Sequence, residues 1–281
     1  DTDAALGYWE RSISIYERLG DRQGMGSTLG NMGNAYYKKG DYDMSLDYSK
    51  KALAIAEEID NKRGIGLWMG NIALEYLAKG DLDKALDYLE RSIGIKEEIG
   101  NKSSLAWSLS NLGVLYQNEK GYYDKAMVYY ERSLAISEEL GDKDQIGLCL
   151  ANIGSLFSDK GDYDKALNYF ERSLVLSEEI GDKGMMIYTF TQIGLVHYYK
   201  KIDFELAEKY MEKSQAIIDE FGTHEEAMIY TKVFLYLTYK QLGKTYDVKE
   251  IFELLKNYQN INFPLNYGLY ELLEDNSYLE T

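Results

Sequence analysis

An amide-centred segment returns through this chain at nearly constant spacing, and that period restricts the fold more than any other property of the sequence. "GNMGNAYYKKGDYD" begins at Gly30, "GNIALEYLAKGDLD" at Gly70, "SNLGVLYQNEKGYYD" at Ser110 and "ANIGSLFSDKGDYD" at Ala151, with a fainter "TQIGLVHYYKKIDFE" at Thr191. Asn31, Asn71, Asn111, Asn152 and Gln192 are therefore 40, 40, 41 and 40 residues apart. The one-residue additions fall at turns, before Gly121 and at Lys200–Ile202. A unit of this length is one supersecondary element, too small to bury its own apolar face, so its copies must stack.

Within a period the apolar spacing is helical. Met69, Ile72, Ala73 and Tyr76 follow i, i+3, i+4, i+7, the stripe of an amphipathic helix. Gly80-Asp81 then breaks it, glycine suiting a left-handed C-terminal cap and aspartate the next N-cap. A second helix is predicted from about Leu82 to Ile99, with Leu82, Ala85, Leu89 and Ser92 on one side, ending at Gly100-Asn101. Each period thus reads as a helical hairpin. Gly33, Gly113, Gly154 and Gly194 fall inside the first helix, where glycine costs about 1 kcal/mol relative to alanine. Ala73 takes the same place in the second copy, so the expectation is a demand for smallness with alanine tolerated. Small residues recur in the second helix at Ala85, Ala126, Ala166 and Ala207, then at Ala52, Ser92, Ser133, Ser173 and Ser214. The spacing therefore predicts small residues facing small ones at a tight helix crossing.

This pattern resembles the tetratricopeptide repeat. Leu109, Leu112, Gly113, Tyr116, Gly121, Ala126, Tyr130 and Ser133 occupy the roles of that family's motif in one copy, and the resemblance covers about residues 3–255. The usual repeat of about 34 residues is lengthened here in its second helix and lacks its closing proline. That longer form is similar to the arrays of kinesin light chains, spindle-orientation adaptors and bacterial peptide receptors. The resemblance implies an all-α fold, a right-handed superhelical solenoid of stacked antiparallel helix pairs. Asp3, Ala5, Trp9 and Ser12 align with Asp83, Ala85, Leu89 and Ser92, so the expected organisation opens on a partial repeat over 1–22. Five full repeats follow over about 23–222. A degenerate one pairs Tyr230–Gly243 with Val248–Leu255 within about 223–258, and a helical segment over 259–281 reads as cut short.

Charge and composition exclude several functions. The net charge of −16 over 281 residues speaks against a nucleic-acid partner, because phosphate binding needs clustered Lys and Arg. No apolar run approaches the roughly 20 residues of a membrane span. The single cysteine, Cys149, fits a reducing compartment and hence a cytoplasmic protein, and flanked by Leu148 and Leu150 it reads as core filler. His197 takes the place of Tyr116 and Phe157 and reads as a packed residue far from His224. The turns Asp41/Asp43, Asp81/Asp83 and Asp162/Asp164 read as caps, without the ligand ladder of a calcium loop. The pairs Glu57-Glu58, Glu97-Glu98, Glu138-Glu139 and Glu178-Glu179 read as a solvated helix face. Gly30 and Gly33 follow no strand, so there is no dinucleotide fingerprint. No catalytic residue, metal site or cofactor is expected, and the chain reads as non-enzymatic.

One face remains unexplained by folding. At about 100° per residue from Met69, the residues Leu67, Asn71 and Leu74 lie near the pole opposite the core stripe. Equivalent positions hold Trp107, Asn111 and Val114; Leu148, Asn152 and Ser155; Tyr188, Gln192 and Leu195; and, in the first copy, Asn31 and Asn34. None of these is Lys or Arg. In the family that the chain resembles, this face lines a groove in which amides hydrogen-bond a peptide, and asparagine offers both a donor and an acceptor. Family members that grip a C-terminal carboxylate do so with Lys and Arg from this face, so a chaperone-tail ligand is disfavoured. The same amides could instead bridge adjacent helices. The expected function is a protein-interaction module, an adaptor holding a peptide or helix of a partner, with basic ligand flanks favoured by the acidic surroundings. The alternative is the sensory or regulatory segment of a larger bacterial or archaeal signalling protein.

Overall fold

A computed structural model describes residues 2–118, 122–200, 203–222, 225–255 and 263–273. Gly121 and His224 lie outside them. Among the described residues all regular structure is helical: α1 (Thr2–Leu19), α2 (Arg22–Lys38), α3 (Tyr42–Glu58), α4 (Lys62–Ala78), α5 (Leu82–Glu98), α6 (Lys102–Asn118) and α7 (Tyr123–Leu140) in a first unit. A second unit holds α8 (Lys143–Asp159), α9 (Tyr163–Ile180), α10 (Lys183–Lys200), α11 (Phe204–Phe221), α12 (Glu225–Gln241), α13 (Val248–Leu255) and α14 (Phe263–Leu273). The most extensive packing joins α2 to α3, α4 to α5 and α6 to α7 in the first unit, and α8 to α9 and α10 to α11 in the second. Successive hairpins stack through α3–α4 and α5–α6, and through α9–α10 and α11–α12.

The turns follow from their residues. Asp41, Asp81 and Asp162 cap α3, α5 and α9, accepting from the amides of Met44, Lys84 and Lys165 at 3.0, 3.3 and 3.4 Å. Gly80 and Gly100 end α4 and α5 with φ of 76° and 66°. Where the other copies place glycine, Asp60 takes φ of 50° after α3. Four hairpins are also clasped at their open ends. Arg22 pairs with Glu58, Lys62 with Glu98 and Lys102 with Glu139, and Lys143 reaches Glu179 at 2.5 Å. One glutamate of each sequence pair therefore fastens its hairpin, although exposed pairs of this kind add little stability.

The crossing inside each hairpin corrects the expectation of small facing small. A Cβ on Gly113 would meet the ring of Tyr130, one on Gly154 the ring of Phe170, and one on Gly194 the side chain of Met211; only Gly33 faces a small residue, Ser49. The glycines leave room for a large neighbour, so Ala73 occupies its place opposite Leu89, a slimmer side chain. The serine column has a second role beyond smallness. Ser92, Ser133 and Ser173 donate to the carbonyls of Gly66, Ala106 and Gly147 at 2.6, 2.7 and 2.8 Å, and Ser214 to that of Ile187 at 3.1 Å. Each such bond joins the two helices of one hairpin.

The end of the second unit departs from the expected pairing. Helix α13 contributes Ile251 to the core, but α14 takes the face of α12 that a second helix covers elsewhere. There Gly268 lies against Val233, Phe234 and Leu237. The glycine and the aromatic residue have exchanged helices: Phe234 stands where Gly194 stands one period earlier.

Buried charges interrupt otherwise neutral columns at Glu75, at Lys96 and at Glu208, the last 8% exposed where other copies have Leu46, Leu86, Met127 and Leu167. Glu75, 1% exposed, stands where the other copies have Ala35, Leu115, Leu156 and Val196. Its Oε1 accepts from Ser45 and Ser49 at 2.5 and 2.7 Å, while Oε2 has no partner among the described residues. Desolvation holds this carboxyl above its ordinary range, against the two serine hydrogen bonds and Lys50. Lys96, 5% exposed, stands in the column of Ala56, Ser137, Ser177 and Ile218. Its Nζ donates to Ser108 Oγ at 2.6 Å beside Gly70, and burial lowers the amine to about 8.

Candidate functional site

The opposite-pole residues divide between the two units. In the first, α2 presents Asn31 and Asn34, α4 presents Leu67, Asn71 and Leu74, and α6 presents Trp107, Asn111 and Val114. Both α2 amides are exposed; Asn71, Leu74, Asn111 and Val114 are half-buried. Leu67 and Trp107 stay 44% and 43% exposed, an unusual state for large apolar side chains at the same helical position of consecutive hairpins. Asn71 Nδ2 donates to Asn34 Oδ1 at 3.0 Å, tying α4 to α2. That bond uses one donor of Asn71 and one acceptor site of Asn34, and it does not use the Asn71 carbonyl or the Asn34 amide nitrogen.

In the second unit, α8 presents Leu148 and Asn152 and α10 presents Tyr188 and Gln192. Leu148, Asn152 and Gln192 are half-buried, whereas Tyr188 is 37% exposed over the residue as a whole. Desolvation pushes its phenol up, offset in part by a hydrogen bond with Ser155, which ties α10 to α8. Leu195 does not share this face. It is 3% exposed and belongs to the core around α12, because the stack continues beyond α10 and covers it.

The other sequence candidates are structural. Cys149 is buried, with Gln145 Nε2 at 3.7 Å from its sulfur. His197 stacks on Tyr210 at 6.1 Å between ring centroids, and burial lowers its pKa. Among the described residues no cluster of His, Cys, Asp and Glu could hold a metal ion, and no helix is long and apolar enough to cross a membrane. The surface opposite the core stripe offers amides and apolar patches.

Sequence reasoning missed one charged neighbour of this face. Arg63 lies one turn before Leu67 on α4 and is exposed. It borders a cleft between α2, α3 and α4 that also includes Leu67. Stepping the helical rotation four residues back from Leu67 would have found it.

Known proteins place this geometry. The tetratricopeptide repeat model matches residues 1–58, 24–98 and 104–179. No curated protein matches the chain by sequence. Among solved structures, BtubC from P. vanneervenii is similar at 21% identity and a TM-score of 0.69, over 80% of this chain and 94% of that one. Aspartyl phosphate phosphatase F from Bacillus subtilis is similar at 16% identity and a TM-score of 0.71, over 95% and 69%. NprR in complex with its cognate peptide NprX is similar at 21% identity and a TM-score of 0.66, over 100% and 81%. At these identities the likeness is one of fold. With family matches over more than half its length, and with capped, stacked helical hairpins throughout the described residues, the chain belongs to the tetratricopeptide repeat family.

Proposed function

We propose that the outward face of the first helices holds a peptide or helix of a protein partner, and that the chain is a non-enzymatic interaction module of the cytoplasm. One observation carries this reading: Leu67 and Trp107 keep more than two fifths of their surface in solvent, flanked by amides and without Lys or Arg in the same columns. Apolar anchors beside backbone-reading amides are what an extended or helical ligand needs. The fold shared with NprR, a protein solved with its cognate peptide, supports the same reading. The contact residues proposed are Asn31, Asn34, Leu67, Asn71, Leu74, Trp107, Asn111 and Val114 in the first unit, and Leu148, Asn152, Tyr188 and Gln192 in the second. The net charge of −16 favours ligands with basic flanks through faster association, a gain that salt removes, and disfavours nucleic acid.

The test is capture from a degenerate peptide library, followed by titration of the enriched peptides against variants. Asn111→Ala and Asn152→Ala, singly and combined, should weaken binding by about 1–3 kcal/mol for an amide that meets the ligand backbone. Trp107→Ala should weaken it further, and melting temperatures should stay close to wild type. If the double asparagine variant unfolds readily while its folded fraction binds as before, these residues are structural and the groove reading fails.

A further inference from the structure

The hollow beside Arg63 has a shape and a charge that the rest of the outward face lacks. Its volume is about 210 Å³. Sites for whole small molecules span about 300–1,000 Å³, so this one fits a single side chain. The hollow exists because Gly26 on α2, Ala52 and Ala56 on α3 and Gly64 on α4 withhold side chains where three helices meet. Ile55 gives it an apolar wall. Trp68 forms another, held upright because its indole fills the space that a Cβ on Gly30 would need. Ser27 and Leu67, both exposed, stand at the mouth.

The charge at that mouth is uncommitted. The cations around Arg63 are used: Arg22 pairs with Glu58 and Lys62 with Glu98. Arg63 has no ion pair or hydrogen bond among the described residues. A guanidinium presents a rigid fork of donors that matches a carboxylate in two parallel hydrogen bonds, and it is less strongly hydrated than an ammonium. An apolar hollow with such a fork at its rim recognises a large apolar side chain next to a carboxylate.

We infer that the cleft between α2, α3 and α4 is a specificity pocket for one large apolar ligand residue, with Arg63 pairing to a carboxylate beside it. The inference rests on the groove reading, since Leu67 belongs to both surfaces, and it adds a ligand chemistry which that reading leaves open. The overall acidity of the chain opposes acidic ligands at long range, so the carboxylate is a local feature of a ligand with basic residues elsewhere. That carboxylate is an Asp or Glu side chain, because the outward columns beside Arg63 carry no second cation to grip a chain terminus.

Two degenerate heptapeptide pools separate a side-chain carboxylate from a C-terminal one when passed over the full chain. One is amidated at its C-terminus and contains Asp and Glu; the other has a free C-terminus and contains neither. Wild type should enrich Leu, Ile, Met or Phe next to Asp or Glu from the amidated pool; enrichment from the free-terminus pool alone refutes a side-chain carboxylate. Arg63→Gln should reduce that enrichment by about tenfold, the loss expected for a charge-assisted pair. Arg63→Glu should turn the preference toward Lys or Arg beside the apolar residue. Ser27→Phe, which fills the mouth from its exposed side, should remove the apolar preference. Arg63 and Ser27 are exposed, so all three variants should melt with wild type. If enriched peptides ignore these variants yet lose affinity with Trp107→Ala and Asn111→Ala, the pocket is refuted and the groove stands. Enrichment of apolar residues without a neighbouring carboxylate refutes the role of Arg63. No enrichment from either pool refutes both the pocket and the groove.

Discussion

Gly154 on α8 offers a measurement of what holds a hairpin together. A Cβ at this position would stand 2.8 Å from two ring carbons of Phe170 on α9, where carbon atoms settle at about 3.5–4.0 Å. Phe170 is fully buried, so the ring has little space for the retreat of roughly 0.7–1.2 Å that this difference implies. Overpacking of this kind costs about 1–3 kcal/mol, and alanine in place of a mid-helix glycine returns about 1 kcal/mol. Gly154→Ala should therefore destabilise by up to about 2 kcal/mol, despite Ala73 at the equivalent place. Gly94 on α5 supplies the control: a Cβ there would meet nothing within 4 Å, so Gly94→Ala should stabilise by about 0.5–1 kcal/mol.

The decisive arm borrows the pair that occurs naturally as Ala73 and Leu89. Phe170→Leu alone should cost about 1–2 kcal/mol, between the typical losses for Ile→Val and Phe→Ala. Added to Gly154→Ala it should recover at least about 1 kcal/mol relative to the sum of the two singles, since the slimmer side chain frees the space that the new methyl takes. Urea unfolding followed by far-ultraviolet circular dichroism gives the four corners of the cycle, with constant slopes as the check that one transition is being compared. If the singles add within about 0.5 kcal/mol, or if Gly154→Ala stabilises as Gly94→Ala does, then contact with Phe170 does not set the residue at 154 and the packing argument is wrong.

Lys96→Met should stabilise by up to about 3 kcal/mol at pH 7, the cost of holding at about 8 an amine that titrates at 10.5 when unfolded. The unfolded chain binds the extra proton between those values, so wild type gains stability as pH rises from 8 to 10.5 and the variant's advantage in urea midpoint should shrink over that window; an advantage that does not change with pH contradicts this. Glu75→Leu, matching Leu115 and Leu156 in the same column, should stabilise by about 1–3 kcal/mol at neutral pH. The Glu75 carboxyl is raised by burial, so that gain should fade on acidification as the folded carboxyl takes its proton, which melts at descending pH will show. Asp60→Gly should raise stability by about 1 kcal/mol in the same melts, because Asp60 holds φ of 50° where Gly100, Gly141 and Gly181 stand in other copies.

The period made the hairpins legible, and local chemistry made their ends legible. Asp81 had to cap and Gly80 had to turn left-handed whatever the tertiary structure. Features that depend on what lies across a helix pair were harder to read. The expectation of small facing small came from each helix considered alone; only the crossing shows that Gly113 is small because Tyr130 is large. Glu75 and Lys96 were visible as charges in columns of Ala, Leu, Ser and Val, and reading down the columns as well as along the helices would have found them. The pairing of α14 with α12 was not visible, since the tail carries no copy of the repeat to set its register. On the outward face, the bridging alternative is realised in the Asn71–Asn34 bond, which uses only part of each amide's hydrogen-bonding capacity.

Outside the first copy, where Gly33 faces Ser49, the residue at each helix crossing answers to a partner's volume and not to a fixed residue. Gly154 stands with Phe170, Gly194 with Met211 and Ala73 with Leu89, and the order reverses where Phe234 meets Gly268. The stacking contacts behave alike: Gly30 makes room for Trp68, and Gly70 for the ammonium of Lys96. Close packing requires this, because one surplus methyl in a filled interior has nowhere to go. Leu67 and Trp107 follow no such rule. They differ widely in size at one helical position, and both keep much of their surface in water, so no interior partner sets their volume. Under the proposed reading a ligand on that face covers the surface that the hairpin stack leaves in water.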